Sequence, residues 1–124
     1  MNKGYKNYIT CAKDVYDMFV DELKDLKQEH FIVVCLDSKN KVIRSEVVFV
    51  GTLNSILVHP REVFKVAIKE SANSIILVHN HPTGDCSPSK EDVEITKKIK
   101  EIGELVGIMV QDHIIICKHN WISI

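Results

Sequence analysis

The sequence lacks the features that would tie it to a membrane or to a nucleic-acid backbone. No apolar run approaches the roughly 18–20 residues that a membrane span needs, and residues 1–5 contain no hydrophobic signal region. Lys and Arg number 16 against 17 Asp and Glu, so the net charge is −1, and no basic block occurs. Because a strong grip on phosphates needs clustered positive charge, the composition does not favour nucleic acid as a partner. We expect a cytoplasmic location without membrane attachment.

The four cysteines show no arrangement that indicates a metal site or a disulfide framework. They are scattered along the chain, and no Cys-x-x-Cys pair occurs among Cys11, Cys35, Cys86 and Cys117. We therefore expect reduced thiols in an intracellular compartment. Cys86 falls in a polar loop, where we expect it to be a small loop residue.

The length and the hydrophobic pattern predict one domain over residues 10–124, preceded by a flexible segment, residues 1–9. Apolar residues at three- and four-residue steps predict the helices. The predicted helices are 11–26, 61–69 with Pro60 in its first turn, and 89–106 with Gly107 after its end. In the last helix we expect the apolar face to contain Val93, Ile99, Ile102 and Val106.

Runs of β-branched and apolar residues predict the strands. They cover 31–36, 42–50, 74–78, 108–110, 112–117 and 121–124, with the first two forming a hairpin. Helix, two strands, helix, strand, helix and two or three strands predict an α/β fold with a mixed sheet flanked by helices. The last strand, Trp121–Ile124, is a possible sheet edge that could pair two copies into a homo-oligomer.

One short window carries the chemistry. His79-Asn80-His81 follows the buried run Ile75–Val78, and Ser89-Lys90-Glu91-Asp92 comes seven residues later. Two imidazoles and one carboxylate are the donors of a catalytic zinc site whose fourth position is open for water. We expect the Pro82-Thr83-Gly84 turn to bend the chain so that both rings reach one ion. Ser89-x-x-Asp92 also has a purely structural interpretation, because it matches a helix capping box.

These residues resemble a known family. His-x-His, seven residues and Ser-x-x-Asp is similar to the signature of the JAMM (MPN-type) zinc metalloproteases, whose bacterial relatives include the RadC-like proteins. Three further stretches resemble the RadC-like group in particular: Gly51–Asn54, Val58–Phe64 and Asp112–Ile116. The resemblance covers nearly the whole chain from about Thr10. It implies an MPN-type mixed sheet with layering like that of cytidine deaminases.

The resemblance also implies roles for individual residues. It implies that His79, His81 and Asp92 hold Zn²⁺, that Glu29 is the general base, and that Ser89 donates a hydrogen bond to the oxyanion. The implied reaction is hydrolysis of an amide or isopeptide bond in a peptide substrate that the sequence does not identify.

Two side chains outside this set are also candidates for a role in the site. Glu46 is the reserve for the general base, although Arg44, two positions away on the same strand face, offers it a structural partner. His113 is not expected to be a ligand. It could contact the second nitrogen of a metal-bound imidazole and be oriented by its neighbour Asp112.

Two other functional classes stay open at the level of sequence. One is a DNA-repair-associated role, the role attached to RadC-like proteins. That role is weakened because this chain is expected to lack the helix-hairpin-helix segment that usually precedes the domain. The other is a metal-stabilised interaction module without catalysis, because MPN-type folds also serve as inactive scaffolds.

Overall fold

A computed structural model describes residues 7–51 and 58–124 as three helices and five strands. The helices are α1 (Ala12–Leu23), α2 (Pro60–Lys69) and α3 (Lys90–Val106). The strands are β1 (Glu29–Leu36), β2 (Val42–Gly51), β3 (Ser74–Asn80), β4 (Met109–Ile116) and β5 (Trp121–Ser123). They form one sheet in the order β2-β1-β3-β4-β5. The β3–β4 pair is parallel and the other pairs are antiparallel, which confirms the mixed α/β sheet.

The sheet is covered on both faces, because alternate residues of its central strands enter two separate cores. On β1, Val33 and Cys35 pack with α2 and α3, whereas Ile32 and Val34 pack with α1. All seven residues of β3 are buried, as expected for a central strand with helices on both sides. Pro60 is the first residue of α2, as predicted.

The apolar face predicted for α3 was confirmed at Ile99 and Ile102 and was wrong at Val93 and Val106. Val93 and Val106 are each nearly half exposed, and the buried residues are Asp92, Ile95, Thr96, Ile99 and Gly103. An added Cβ at Gly103 would lie 2.5 Å from the carbonyl oxygen of Ile108, so this glycine lets the helix approach β4 closely. The buried face includes two polar residues and a glycine. A prediction from apolar residues alone cannot include these three positions, so it locates only part of the face.

Several element boundaries also differ from the predictions. Helix α1 is shorter at both ends than residues 11–26, and β1 begins two residues earlier, at Glu29. Strand β3 continues to Asn80, and the segments predicted as 108–110 and 112–117 form one strand, β4. At the N-terminus, Ile9 is buried and Tyr8 forms a β-bridge with Lys41. Residues 1–6 of the predicted flexible segment lie outside the described residues, and so do residues 52–54 of the first stretch that resembles the RadC-like group.

The sheet order places β2 at one edge and β5 at the other. Strand β5 is therefore the edge strand that the sequence predicted. In the described part of the chain, no helix is long and apolar enough to cross a membrane.

Candidate metal centre

The ends of two strands and one helix meet at one end of the central strands of the sheet. The carboxyl end of β3 carries His79, and His81 follows directly after the strand. Strand β1 runs antiparallel to β3 with Phe31 opposite His79, so its first residue, Glu29, lies beside them. The amino end of α3 brings Asp92 to the same point. Sites at strand ends of α/β folds are commonly assembled from such separate segments.

The side chains of these four residues converge. One donor atom from each of Glu29, His79, His81 and Asp92 lies within 4.8 Å of all the others. The two Nε2 atoms of His79 and His81 are 3.1 Å apart. They lie 3.1 Å and 3.0 Å from the two carboxylate oxygens of Asp92. Tetrahedral ligands with zinc bonds of roughly 2.0–2.1 Å would lie roughly 3.3 Å apart, so this spacing suits a small cation.

The expected explanation for the meeting of the two imidazoles was wrong in part. His79 and His81 are two residues apart, so the alternation of an extended segment already puts both rings on one face. The amide of His81 donates to the carbonyl of Ile116 at 3.0 Å and continues the pairing with β4. The turn follows afterwards, where Gly84 donates to the carbonyl of His81. It leads the chain toward α3 and is not needed to align the rings.

Hydrogen bonds at the far nitrogens orient both rings. Nδ1 of His81 lies 2.8 Å from the carbonyl oxygen of Asp85, so it must carry the proton and donate. Nδ1 of His79 lies 2.7 Å from Nε2 of His113. With the Nδ1 atoms engaged in this way, both Nε2 atoms face the cluster as candidate metal donors.

Asp92 has an oxygen without a hydrogen-bond partner. Its Oδ2 accepts from the backbone amide of Ser89 at 2.7 Å, which is half of the predicted capping box. Its Oδ1 is buried and accepts no hydrogen bond, although His79 Nε2 lies 3.1 Å away. An unpaired buried carboxylate oxygen is costly, and a cation shared with the two imidazoles would satisfy it. The donor set therefore fits a metal ion.

The electrostatics of the cluster favour a carboxylate that stays ionised. Burial alone would raise the pKa of Asp92, but the close approach of the His79 and His81 imidazoles and the hydrogen bond from the Ser89 amide outweigh it and hold the pKa well below its usual range. Burial also opposes a charge on His81, yet the contacts with Asp92 and the Asp85 carbonyl leave its pKa raised. Burial, followed by the charge of His79, lowers the pKa of His113 well below its usual value.

The structure separates the two candidates for the general base. Glu29 lies within the donor cluster and is partly exposed. Glu46 lies on β2, where its Oε1 accepts from Arg44 Nη2 at 2.8 Å, and it is not a member of the cluster. Arg44 is thus the structural partner that the sequence suggested for Glu46.

Ser89 can serve both of the roles that the sequence suggests. Its Oγ accepts from the amide of Asp92 at 3.0 Å and so completes the capping box. Accepting this bond uses a lone pair and leaves the hydroxyl hydrogen available for another acceptor. Ser89 is exposed, and with Glu29 and His81 it lines an open cleft of about 300 Å³.

Sequence reasoning missed two buried polar residues near the cluster. The Asn80 side chain accepts from the amide of His30 at 2.7 Å and donates to the carbonyl of Gln28 at 3.1 Å. It therefore holds the backbone on both sides of Glu29. The other residue is Thr96, whose hydroxyl contacts Nδ1 of His113. The only available signal was a polar residue in an otherwise apolar run or helix face.

The expected orientation of His113 by Asp112 was wrong. A carboxylate oxygen of Asp112 accepts from the backbone amide of His113 and from the Ser123 hydroxyl. The His113 ring is held instead by His79 and Thr96.

The expectation of reduced, unpaired thiols was also wrong for two of the four cysteines. Cys86, in the loop between His81 and Ser89, forms a disulfide with Cys117, which directly follows β4, and their Cα atoms are 5.6 Å apart. Cys11 and Cys35 are free. The disulfide links the site loop to the end of β4, and because the two cysteines are 31 residues apart in sequence, no spacing motif indicates it.

The five-stranded mixed sheet with three helices and a His-His-Asp cluster at the ends of β3 and α3 is consistent with a JAB/MPN-like domain. Comparison with known families gives the same answer, since the model of the RadC-like JAB domain matches residues 9–124. The chain belongs to the RadC-like JAB domain family.

Its relatives include proteins from bacteria and archaea. It is 55% identical over 116 residues to UPF0758 protein SH1266 of Staphylococcus haemolyticus, covering 94% of this chain and 51% of the relative. It is 53% identical over 122 residues to UPF0758 protein TTE0897 of Caldanaerobacter subterraneus, covering 98% of this chain and 52% of the relative. It is 49% identical over 119 residues to UPF0758 protein Mbar_A2303 of Methanosarcina barkeri, covering 96% of this chain and 52% of the relative. The chain spans about half the length of these relatives.

Proposed function

We propose that this domain is a zinc-dependent metallohydrolase that cleaves an amide or isopeptide bond in a peptide substrate. The observation that carries the proposal is the unpaired, buried Oδ1 of Asp92 beside the Nε2 atoms of His79 and His81. Membership of a JAB-domain family supports a metallohydrolase in general. The open cleft beside the cluster supports access for a substrate.

His79, His81 and Asp92 would hold the ion. Two imidazoles and one carboxylate are a usual ligand set for catalytic zinc, which keeps a fourth position open. When bound, zinc lowers the pKa of a coordinated water to near neutrality and polarises the carbonyl group of the substrate.

Glu29 would be the general base and later the general acid. Its carboxylate lies close to the ligand atoms but is partly exposed toward the cleft, so it can reach both the attacking water and the substrate. It would accept a proton from the water and pass it to the leaving nitrogen. Such proton transfer contributes typically about 10²–10⁴-fold to a rate.

Ser89 would stabilise the developing negative charge on the substrate. Its Oγ accepts from the Asp92 amide, so the hydroxyl hydrogen can be donated to the oxyanion. A single well-placed donor of this kind contributes on the order of 3 kcal/mol to stabilisation of the transition state.

The ligand assignment is tested by metal analysis of the purified chain. We expect one zinc per wild-type chain and none in His79→Ala or Asp92→Ala. Each variant removes one of the three proposed ligands, and the two that remain are too few to hold the ion. Glu46→Ala is the matched control and should keep its zinc, since Glu46 pairs with Arg44 outside the cluster. Stoichiometric zinc in either ligand variant would contradict the assignment.

The assignment of a hydrolase is tested by a peptide-library cleavage screen with and without a chelator. We expect chelator-sensitive cleavage that falls by about 10²–10⁴-fold in Glu29→Gln while zinc is retained. Glu46→Gln should retain both zinc and turnover. Zinc binding without cleavage of any peptide or isopeptide would favour a non-catalytic, metal-stabilised module instead.

A further inference from the structure

A chain of three buried hydrogen bonds connects two of the candidate metal ligands behind the site. Nδ1 of His79 lies 2.7 Å from Nε2 of His113. Nδ1 of His113 contacts the hydroxyl of Thr96, which donates to the backbone carbonyl of Asp92 at 2.7 Å. All four residues are at least 97% buried and come from β3, β4 and α3. We propose that His113 and Thr96 are positioning residues that set the protonated nitrogen of His79 and so present its Nε2 lone pair to the metal.

The direction of each hydrogen bond follows from the chemistry of its partners. The Asp92 carbonyl can only accept, so the single hydroxyl hydrogen of Thr96 points toward it. The Thr96 oxygen must then accept from His113, which places a proton on Nδ1 of His113. A neutral His113 with that proton has its lone pair on Nε2, and it accepts from Nδ1–H of His79. His79 is thereby left with an unprotonated Nε2, which faces Asp92 and His81.

The neutral form of His113 is consistent with its surroundings. Its two ring nitrogens contact His79 and Thr96, and neither partner supplies a negative charge. A buried cation without such a partner is costly. Phe31 packs edge-on against the His113 ring and stacks on the His79 ring, with centroid separations of 5.5 Å and 6.0 Å. These contacts restrict both rings to the orientation that the hydrogen bonds require.

The chain of hydrogen bonds can be tested at Thr96. Replacement of Thr96 by valine keeps the shape of the side chain but removes the acceptor for Nδ1–H of His113. The buried Nδ1–H of His113 is then a donor without a partner. Moving that proton to Nε2, from which His113 donates to Nδ1 of His79, replaces the unpaired donor by a less costly unpaired acceptor. That change forces the proton of His79 onto Nε2, where it competes directly with a metal ion.

This inference rests on the proposed metal site, so the experiment separates the two. Zinc affinity is measured by competition with a chromophoric chelator, and the protonated nitrogen of His79 is assigned by long-range ¹H–¹⁵N spectra with and without zinc. For Thr96→Val we expect zinc affinity to fall roughly 10–100-fold and the proton of His79 to appear on Nε2 in the metal-free protein. Thr96→Ser retains the hydroxyl and should stay within about threefold of the wild type.

The outcomes distinguish positioning from a purely structural role. Each variant is first checked for a cooperative unfolding transition, and Thr96→Ala replaces Thr96→Val if the valine variant does not fold. If wild type binds no zinc but carries the His79 proton on Nδ1, the proposed function fails and the positioning role stands. If His79 carries its proton on Nε2 in metal-free wild type, or if Thr96→Val keeps wild-type affinity and the Nδ1 proton, the positioning role is overturned.

Discussion

The side chain of Asn80 fixes the backbone around Glu29, the proposed general base. Its flanking residues, His79 and His81, face the donor cluster, and because alternate residues of a strand point to opposite sides, its own side chain turns toward β1. There its amide group makes two hydrogen bonds, one on each side of Glu29. A residue between two histidines therefore positions the proposed general base without contacting the metal ligands through its side chain.

We predict that Asn80→Ala weakens both the fold and the site. The substitution leaves the amide of His30 and the carbonyl of Gln28 without their partner, and each lost bond to a partly buried group costs about 1–3 kcal/mol. The free energy of unfolding should fall by that order in urea titrations, and turnover should fall more than zinc content does. Asn73→Ala, an exposed asparagine just before β3, is the matched control and should change neither. Unchanged turnover in a folded Asn80→Ala would show that Glu29 does not depend on this contact.

At the scale of single residues, the sequence predicted the residues of the motif and the contact of His113 with a ligand imidazole, but it missed Asn80 and Thr96. His79, His81, Asp92, Glu29 and Ser89 could be chosen because their spacing resembles a known signature, and the structure brings all five together. The partners of Asn80 and Thr96 come from distant positions in the sequence, and both residues are of ordinary types, so no local pattern distinguishes them. Such residues become visible only when the strands and α3 are placed in three dimensions.

The site loop between β3 and α3 is the element most affected by the disulfide. The loop contains few regular backbone hydrogen bonds of its own, and Cys86 attaches it to the end of β4 through Cys117. A cross-link over 31 residues of sequence lowers the entropy of the unfolded chain by an amount worth about 3–4 kcal/mol at 25 °C. The loop that delivers Ser89 and Asp92 is thereby restrained on one side.

We predict that denatured, unreduced protein has two titratable thiols and that reduction raises the number to four. In the native protein one thiol should react readily, because Cys11 is exposed whereas Cys35 is fully buried and burial raises its pKa to about 11. The double variant Cys86→Ser/Cys117→Ser should lose about 2–4 kcal/mol of unfolding free energy in urea. Cys11→Ser is the matched control and should lose nothing measurable. Four thiols in the unreduced, denatured protein would show that the disulfide does not form.

Element prediction succeeded where one periodicity dominated and failed where polar residues replaced apolar ones. The hairpin of β1 and β2 and the positions of Ser89 and Gly107 at the two ends of α3 agree with the structure. The buried face of α3 agrees only at Ile99 and Ile102. Asp92 and Thr96 also lie on it, because Asp92 belongs to the donor cluster and the Thr96 hydroxyl donates to the carbonyl of Asp92. Strand β3 likewise extends past its apolar run, since His79 and Asn80 obtain partners for their polar groups inside the fold.

At the scale of the whole molecule, the cluster connects metal binding to folding. The donors come from β1, β3 and α3, which pack together only in the folded chain. The alternation of helices and strands was sufficient to predict the layered α/β architecture. The spacing of the histidines and Asp92 predicted that the ends of β3 and α3 meet. The place of β1 and Glu29 beside them required the resemblance to a known family, because hydrophobic periodicity contains no information about which ends of the elements meet. An ion bound to the cluster would stabilise the folded state selectively.

The metal-free cluster has its own dependence on pH. The pKa of Asp92 is held below its ordinary value, so its interactions add stability above about pH 3.8 that is lost as the pH falls through the lower value. The pKa of His81 is raised above 6.5, so its interactions add stability below that pH that is lost as the pH rises through the higher value. The stabilising effect of this pair in the metal-free protein is therefore greatest between these two ordinary values.

Bound zinc should change how stability depends on pH in the range where His81 loses its proton. The nitrogen atoms that bind zinc must be unprotonated, so binding to His81 requires the loss of the Nε2 proton that Asp92 favours, while Nδ1 keeps its proton for the Asp85 carbonyl. We predict that the difference in Tm between zinc-loaded and chelator-treated protein increases from pH 6 to pH 8. A thousandfold excess of zinc over its Kd corresponds to about 4 kcal/mol, which for a domain of this size is on the order of 10–20 °C. His79→Ala should show no zinc-dependent shift at either pH, and an equal shift at both pH values in the wild type would mean that no proton is displaced from the cluster when zinc binds.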